Sequence, residues 1–248
     1  MYEKKNFKKL SLNQYQLSLV SFDLEWTKNF KITGGNKPFC FSYIYFNPVI
    51  KVEDIETTLE FSFISCYINS ESEIESLVNR ANELLDLFLS SNTLIIGHQL
   101  SSDIAVILQN SNSNSTSFST LKKSWHSRKN DNFSMIFDTR YDMNNLLKNK
   151  SRRLVDICIE CNLGVTQPEL KGSMTKMQNE FYICRDVEIY EKLSVLNIRH
   201  SLSVALLYLI YKENRIPRKK INVNKILYKN LEQYYSYVRS DGFESLLH

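Results

Sequence analysis

Leu17-Ser-Leu-Val-Ser-Phe-Asp-Leu-Glu-Trp26 is the stretch whose reading decides the fold. It is mostly apolar, and near its end apolar and acidic residues alternate, which is the period-2 pattern of a strand. Asp23 and Glu25, two residues apart, therefore share one face. Two carboxylates on one face of an apolar strand repel each other and resist burial unless a positive group sits between them. Hard divalent cations such as Mg²⁺ and Mn²⁺ suit carboxylate oxygens. Asp-x-Glu alone is also a common solvated strand end, so the rest of the chain has to decide.

Working outward, residues 1–16 are polar and basic and read as a loose arm. After the first strand comes a Gly34-Gly35-Asn36 turn, then an aromatic second strand over 39–46 and a third over 59–68. No helical pattern separates these three strands, so an antiparallel meander is expected. The period then lengthens. Ile74, Leu77, Val78, Ala81, Leu84, Leu85 and Phe88 follow helical spacing, with Ser70 and Glu73 as a capping box. A short strand over 93–97 precedes a helix from Ser101 to Leu108, capped by Ser101 or Ser102. The Ser- and Asn-rich stretch 110–132 reads as a long loop, and 135–138 as a strand. A helix is expected over 152–161. One long helix, or two with a break near 197–200, is expected over 177–211, and a last one over 224–238. The pattern predicts an α/β fold: a mixed five-stranded sheet flanked by helices, with a helical C-terminal extension. The division is an arm over 1–16, a main domain over 17–212 and the extension over 213–248.

The bulk numbers exclude several classes. The 248 residues are 43% hydrophobic and 12% aromatic, too apolar for a disordered chain. Five cysteines at irregular spacing argue against a disulfide framework and for a reducing compartment. Neither a signal peptide nor a membrane span is apparent, so a soluble, cytoplasmic protein without a membrane partner is expected. A net charge of +4 is compatible with a nucleic-acid partner without requiring one. Cys158-x-x-Cys161 lacks the second pair that a zinc site needs.

Two further places carry acids. Asp103 follows the apolar strand Ile95-Ile96-Gly97 at the start of a helix, where crevices at strand ends often hold ligands. A lone Asp in a first helical turn also simply favours the helix dipole. Tyr182 and Asp186 stand at i and i+4 and would share a helix face.

Taken together, these motifs resemble the DnaQ-like (DEDD) exonuclease superfamily, which includes ribonuclease D and polymerase proofreading domains. Val20-Ser-Phe-Asp-Leu-Glu-Trp26 is similar to its first motif, Ile96-Gly-His-Gln-Leu-Ser-Ser-Asp-Ile104 to its second, and Tyr182-Ile-Cys-Arg-Asp-Val-Glu-Ile189 to the tyrosine form of its third. The resemblance spans residues 17–212. The second motif carries Gln99 and Ser102 where the family usually has Asn and an aromatic residue. The resemblance implies a ribonuclease H-like fold and a 3′–5′ exonuclease that releases nucleoside 5′-monophosphates. Asp23, Glu25, Asp103 and Asp186 would hold two divalent ions, Mg²⁺ or Mn²⁺, with Tyr182 orienting the attacking water. The partner would be single-stranded DNA or RNA with a free 3′ end, DNA slightly preferred. Leu24, Trp26, His98 and Gln99 would contact it, Trp26 by stacking. Lys122, Lys123, Trp125, Arg128 and Lys129 are candidates for guiding the strand. Residues 212–248 hold 8 Lys or Arg against 4 Asp or Glu, a candidate surface for nucleic acid or a protein partner. The competing reading is a 3′-end-binding or scaffolding module with little catalysis. A small-phosphate hydrolase is disfavoured because the sequence has no Gly-rich phosphate loop.

Overall fold

Alternation along the opening stretch becomes a strand buried on both faces. The structure, a computed structural model, describes residues 1–6, 18–27, 36–46, 52–91, 93–112, 116–130, 134–143, 146–147, 153–165 and 174–248. In chain order, β1 is Tyr2–Asn6, β2 Ser18–Thr27, β3 Lys37–Phe46, α1 Ile55–Thr58, β4 Ser62–Tyr67, α2 Ile74–Leu89, β5 Thr93–Gly97, α3 Leu100–Gln109 and α4 Thr116–Ser127. Then come β6 Ile136–Asp138, α5 Thr139–Asp142, α6 Leu154–Glu160, β7 Leu163–Gly164, α7 Met174–Cys184, α8 Val187–Glu213, β8 Ile221–Asn222, α9 Val223–Leu231 and α10 Asp241–Glu244. Among the described residues, six strands form one mixed sheet in the order β1-β4-β3-β2-β5-β6. The first three contacts along that order are antiparallel; β2–β5 and β5–β6 are parallel.

The sheet thus has six strands where the sequence predicts five. The extra one is β1, drawn from the stretch read as a loose arm. Its polar side chains gave no strand signal, because as an edge strand it is held by backbone pairing to β4 and by ion pairs. Residues 7–17 and the Gly34-Gly35 turn lie outside the described residues.

Period 2 along β2 assigns each residue to a layer. Val20, Phe22 and Leu24 pack in one cluster with Leu77, Val78, Ala81, Leu84 and Leu85 of α2, Ile104 and Ile107 of α3, and Phe118 and Leu121 of α4. Leu19 belongs to the opposite layer, with Ile198, Leu202, Ala205 and Leu206 of α8. Asp23 and Glu25 are in phase with Leu19 and therefore face α8. That layer also holds Ile226, Leu227 and Leu231 of α9, together with Tyr235, Val238 and Phe243. Residues 213–248 are thus part of the same core as the sheet.

Helix α8 is the one described helix long and apolar enough to cross a membrane, yet 89% of its apolar window is buried inside the protein. It is a core helix. Beside Asp23 its contacts to the sheet turn polar. Ser201 Oγ lies 2.7 Å from Ser42 Oγ of β3, and Ser42 is the register partner of Asp23.

Several local expectations are corrected. Residues 110–132 contain the helix α4 rather than one long loop, because its weak apolar stripe, Phe118 and Leu121, docks under the sheet. The capping box does not form. Ser70 makes no side-chain cap, and Glu73 instead accepts from the Asn69 amide and pairs with the N-terminal amine. Neither Ser101 nor Ser102 caps α3; Gln99 occupies that position. The stretch expected as one long helix, or as two with a break near 197–200, is two helices, and their break lies at Arg185-Asp186, where Arg185 adopts a φ of 56°.

Candidate functional site

The site is built where β2, β5 and α3 meet the middle of α8. Asp23, Glu25, Asp103 and His200 line one cavity of about 530 Å³, with Trp26, His98 and Gln99 on its walls. A register shift between Glu25 and Trp26 marks an irregularity in the β2–β3 ladder. Such a shift re-aims the side chain that follows it, and Trp26 stands half-buried in the cavity wall. Leu24 lines the cavity too, though its side chain is turned into the core.

Helix α8 supplies the partners of the two β2 carboxylates. The Asn197 amide Nδ2 donates to Asp23 Oδ2 at 2.7 Å and to the Asp23 carbonyl at 3.3 Å. His200 Nδ1 lies 2.8 Å from Glu25 Oε1 and 3.5 Å from Asp23 Oδ2. Ligand atoms of Asp23, Glu25 and His200 all fall within 4.8 Å of one another. Across the cavity Asp103 is 3% exposed, and its Oδ2 is buried with no hydrogen-bond partner. Burial, then the charges of Asp23, Glu25 and Asp138, push the Asp103 carboxyl well above the usual carboxylate range. Burial also raises Glu25, although His200 works against it. For His200, burial lowers the imidazole pKa, but hydrogen bonds and attraction from Asp23 and Glu25 win and lift it to about 9. Burial and the clustered negative charge cause the two carboxyl shifts, and the same negative charge holds a proton on His200.

A second carboxylate organises the α3 side. Asp138 is fully buried and accepts from the Gln99 and Leu100 backbone amides at 2.9 and 3.0 Å, from the Arg140 amide at 3.0 Å and from Trp125 Nε1 at 2.9 Å. It caps α3 from outside, which frees Gln99 to take its left-handed φ of 59°. The Gln99 side chain is held in turn: Arg140 Nη1 donates to its Oε1 at 2.7 Å, and its Nε2 donates to Ser102 Oγ at 2.6 Å. His98 Nδ1 lies 3.0 Å from Thr139 Oγ1. Gly97 ends β5 beneath this turn; a Cβ there would stand 2.8 Å from Leu100 Cδ1.

The structure thus brings Asp23, Glu25 and Asp103 together and leaves Tyr182 and Asp186 outside the cavity. The kink at Arg185 is the reason. It ends α7 at Cys184 and makes Asp186 the exposed N-cap of α8, accepting from the Glu188 amide at 2.8 Å. Tyr182 packs on Phe181 instead; burial raises its phenol, partly offset by Gln178. Of the basic and aromatic candidates on α4 and the turn after it, Lys122, Lys123 and Lys129 are exposed. Arg128 is buried in an ion pair with Asp142 at 3.0 Å, stacked on Trp125, so these two are structural.

Sequence reasoning missed Asn197 and His200. The signal was present: Ser194, Asn197 and Ser201 recur at helical spacing inside the most apolar run of the chain, with His200 beside them. A polar stripe on a buried helix has to meet polar partners. No protein-family model matches this sequence, and no curated protein matches it.

Proposed function

We propose that the chain is a divalent-metal-dependent 3′–5′ exonuclease of the DnaQ-like, ribonuclease H-like kind, acting on single-stranded nucleic acid and in the first instance DNA. The carrying observation is the cluster of Asp23, Glu25 and His200, with ligand atoms within 4.8 Å of one another, in one cavity with the buried Asp103. This donor set fits a divalent cation, which Asp23, Glu25 and His200 would hold, with the carboxyl of Asp103 adding negative charge to the same cavity. Such an ion neutralises phosphate charge and lowers the pKa of a water when bound. The chain's own residues prepare the rest. Asn197 fixes the rotamer of Asp23, and His200 that of Glu25. Trp26 offers a half-buried ring on the cavity wall, suited to stacking on a terminal base. Gln99, clamped by Arg140 and Ser102, presents a pre-oriented amide edge toward sugar or phosphate.

The test is incubation of 5′- and 3′-labelled single-stranded DNA and RNA with Mn²⁺, Mg²⁺ or EDTA, beside Asp23→Ala. Metal-dependent shortening from the 3′ end, absent in the variant, is the expected result. One observation favours the second reading, a 3′-end-binding module: the third-motif residues Tyr182 and Asp186 lie outside the cavity. Retained binding of 3′ ends without turnover in any metal would decide for that module.

A further inference from the structure

Helix α8 puts an amide and an imidazole against Asp23 and Glu25, where a further acid is expected from the motif pattern. This changes which ion the cluster suits. We propose that Asp23, Glu25 and His200, whose ligand atoms lie within 4.8 Å of one another, form a single-ion site with a mixed oxygen and nitrogen donor set, selective for Mn²⁺ over Mg²⁺, and that His200 sets the selectivity. The inference rests on the metal-holding part of the reading above and is independent of what the protein cleaves.

Three observations carry it. First, the nitrogen of His200 that faces Glu25 Oε1 at 2.8 Å and Asp23 Oδ2 at 3.5 Å is the donor it would offer to an ion between them. Mg²⁺ demands near-octahedral oxygen ligation and sheds water reluctantly, whereas imidazole nitrogen favours first-row transition ions. Second, Asp23 is the carboxylate that a second ion would have to share, and its Oδ2 already accepts from Asn197 Nδ2 at 2.7 Å. An oxygen so engaged is poorly placed to bridge two ions. Third, the remaining acid of the expected set, Asp186, is exposed and spent as a helix cap. The independent sign that the cluster takes a ligand is Asp103 on the wall of the same cavity, 3% exposed and with its Oδ2 unpartnered.

The experiment is a titration of the purified full chain with Mn²⁺ alone, followed by electron paramagnetic resonance, with Mg²⁺ as competitor and no nucleic acid present. The expected result is one Mn²⁺ per chain, displaced by Mg²⁺ only at roughly 10-fold or greater excess. His200→Asp, which swaps nitrogen for oxygen, should bring the two ions to within a few-fold of each other. Two equivalents of Mn²⁺, no binding, or an unchanged preference in His200→Asp would each overturn the proposal. Should that variant fail to fold, the wild-type spectrum decides: modulation from an imidazole ¹⁴N coupled to the bound Mn²⁺ supports His200 ligation, and its absence refutes it. Mn²⁺ binding with these features but no nuclease activity would sink the exonuclease reading while leaving this one standing.

Discussion

At the residue scale, the acids of this chain differ in how fully backbone and ring N–H donors already engage their oxygens. Asp103 Oδ2 has none, Asp138 has four donors, and Asp186 has one backbone amide. Asp186→Ala should therefore act as the loss of a helix N-cap, destabilising by about 0.5–2 kcal/mol. Mn²⁺ stoichiometry should stay unchanged. Tyr182→Phe should leave both metal binding and any 3′ trimming intact. Thermal melts beside the metal titration check this pair, and loss of Mn²⁺ binding in Asp186→Ala would return Asp186 to the site. Asp23, Glu25 and Asp103 were legible in the sequence because each sits in a short, strongly patterned context: an apolar strand or the turn that follows one. Asp186 misled because i, i+4 spacing means a shared face only if the helix is continuous, and nothing in Tyr-Ile-Cys-Arg-Asp announces a left-handed Arg185.

At the scale of elements, the two parallel strands β5 and β6 end side by side, Gly97 paired with Asp138, so the α3 cap comes from the next strand and not from α3 itself. This cross-strand cap explains why Ser101 and Ser102, good cap residues by type, are not used. It also ties α4 to the site, since Trp125 donates to the same carboxylate. Asp138→Ala should cost at least about 3 kcal/mol, because several buried donors lose a partner worth about 1–3 kcal/mol each. Urea unfolding measures it; a loss below about 1 kcal/mol would mean that water replaces the carboxylate freely. The strands and the two amphipathic helices α2 and α3 were readable because burial on one face imposes a period. Edge strand β1 and helix α4 were not, since each has few apolar residues and owes its shape to partners distant in sequence.

At the scale of the whole molecule, one buried carboxylate joins three distant parts of the chain. Glu191 of α8 accepts from Lys4 of β1 at 2.9 Å, and from the Ser236 hydroxyl and Tyr237 amide at 2.7 and 2.8 Å. Burial alone would raise this carboxyl, but those three donors outweigh it and hold it below its ordinary value. A carboxyl whose folded pKa lies below its unfolded value, about 4.3, stabilises the fold above that pH. That stabilisation is lost as pH falls through the lower folded value. Glu191→Gln should be less stable than the wild type at pH 7, and the gap should narrow as pH falls below about 4. Urea midpoints at pH 7, 5, 4 and 3 for both proteins read this out, and a gap that stays constant would remove Glu191 from the account.

The central place of α8 has a consequence in time. Synthesis runs from the N-terminus at about 5–20 residues per second, so β2, β3, β4 and β5 leave the ribosome well before Val187–Glu213 does. Through that interval the sheet face that α8 will cover, with Leu19, Ile44 and Phe63, has no helix to shield it. The nascent chain therefore passes through a stage in which an apolar β-surface is bare and sticky. That bare surface, rather than the stability of the finished protein, is the aggregation hazard during synthesis.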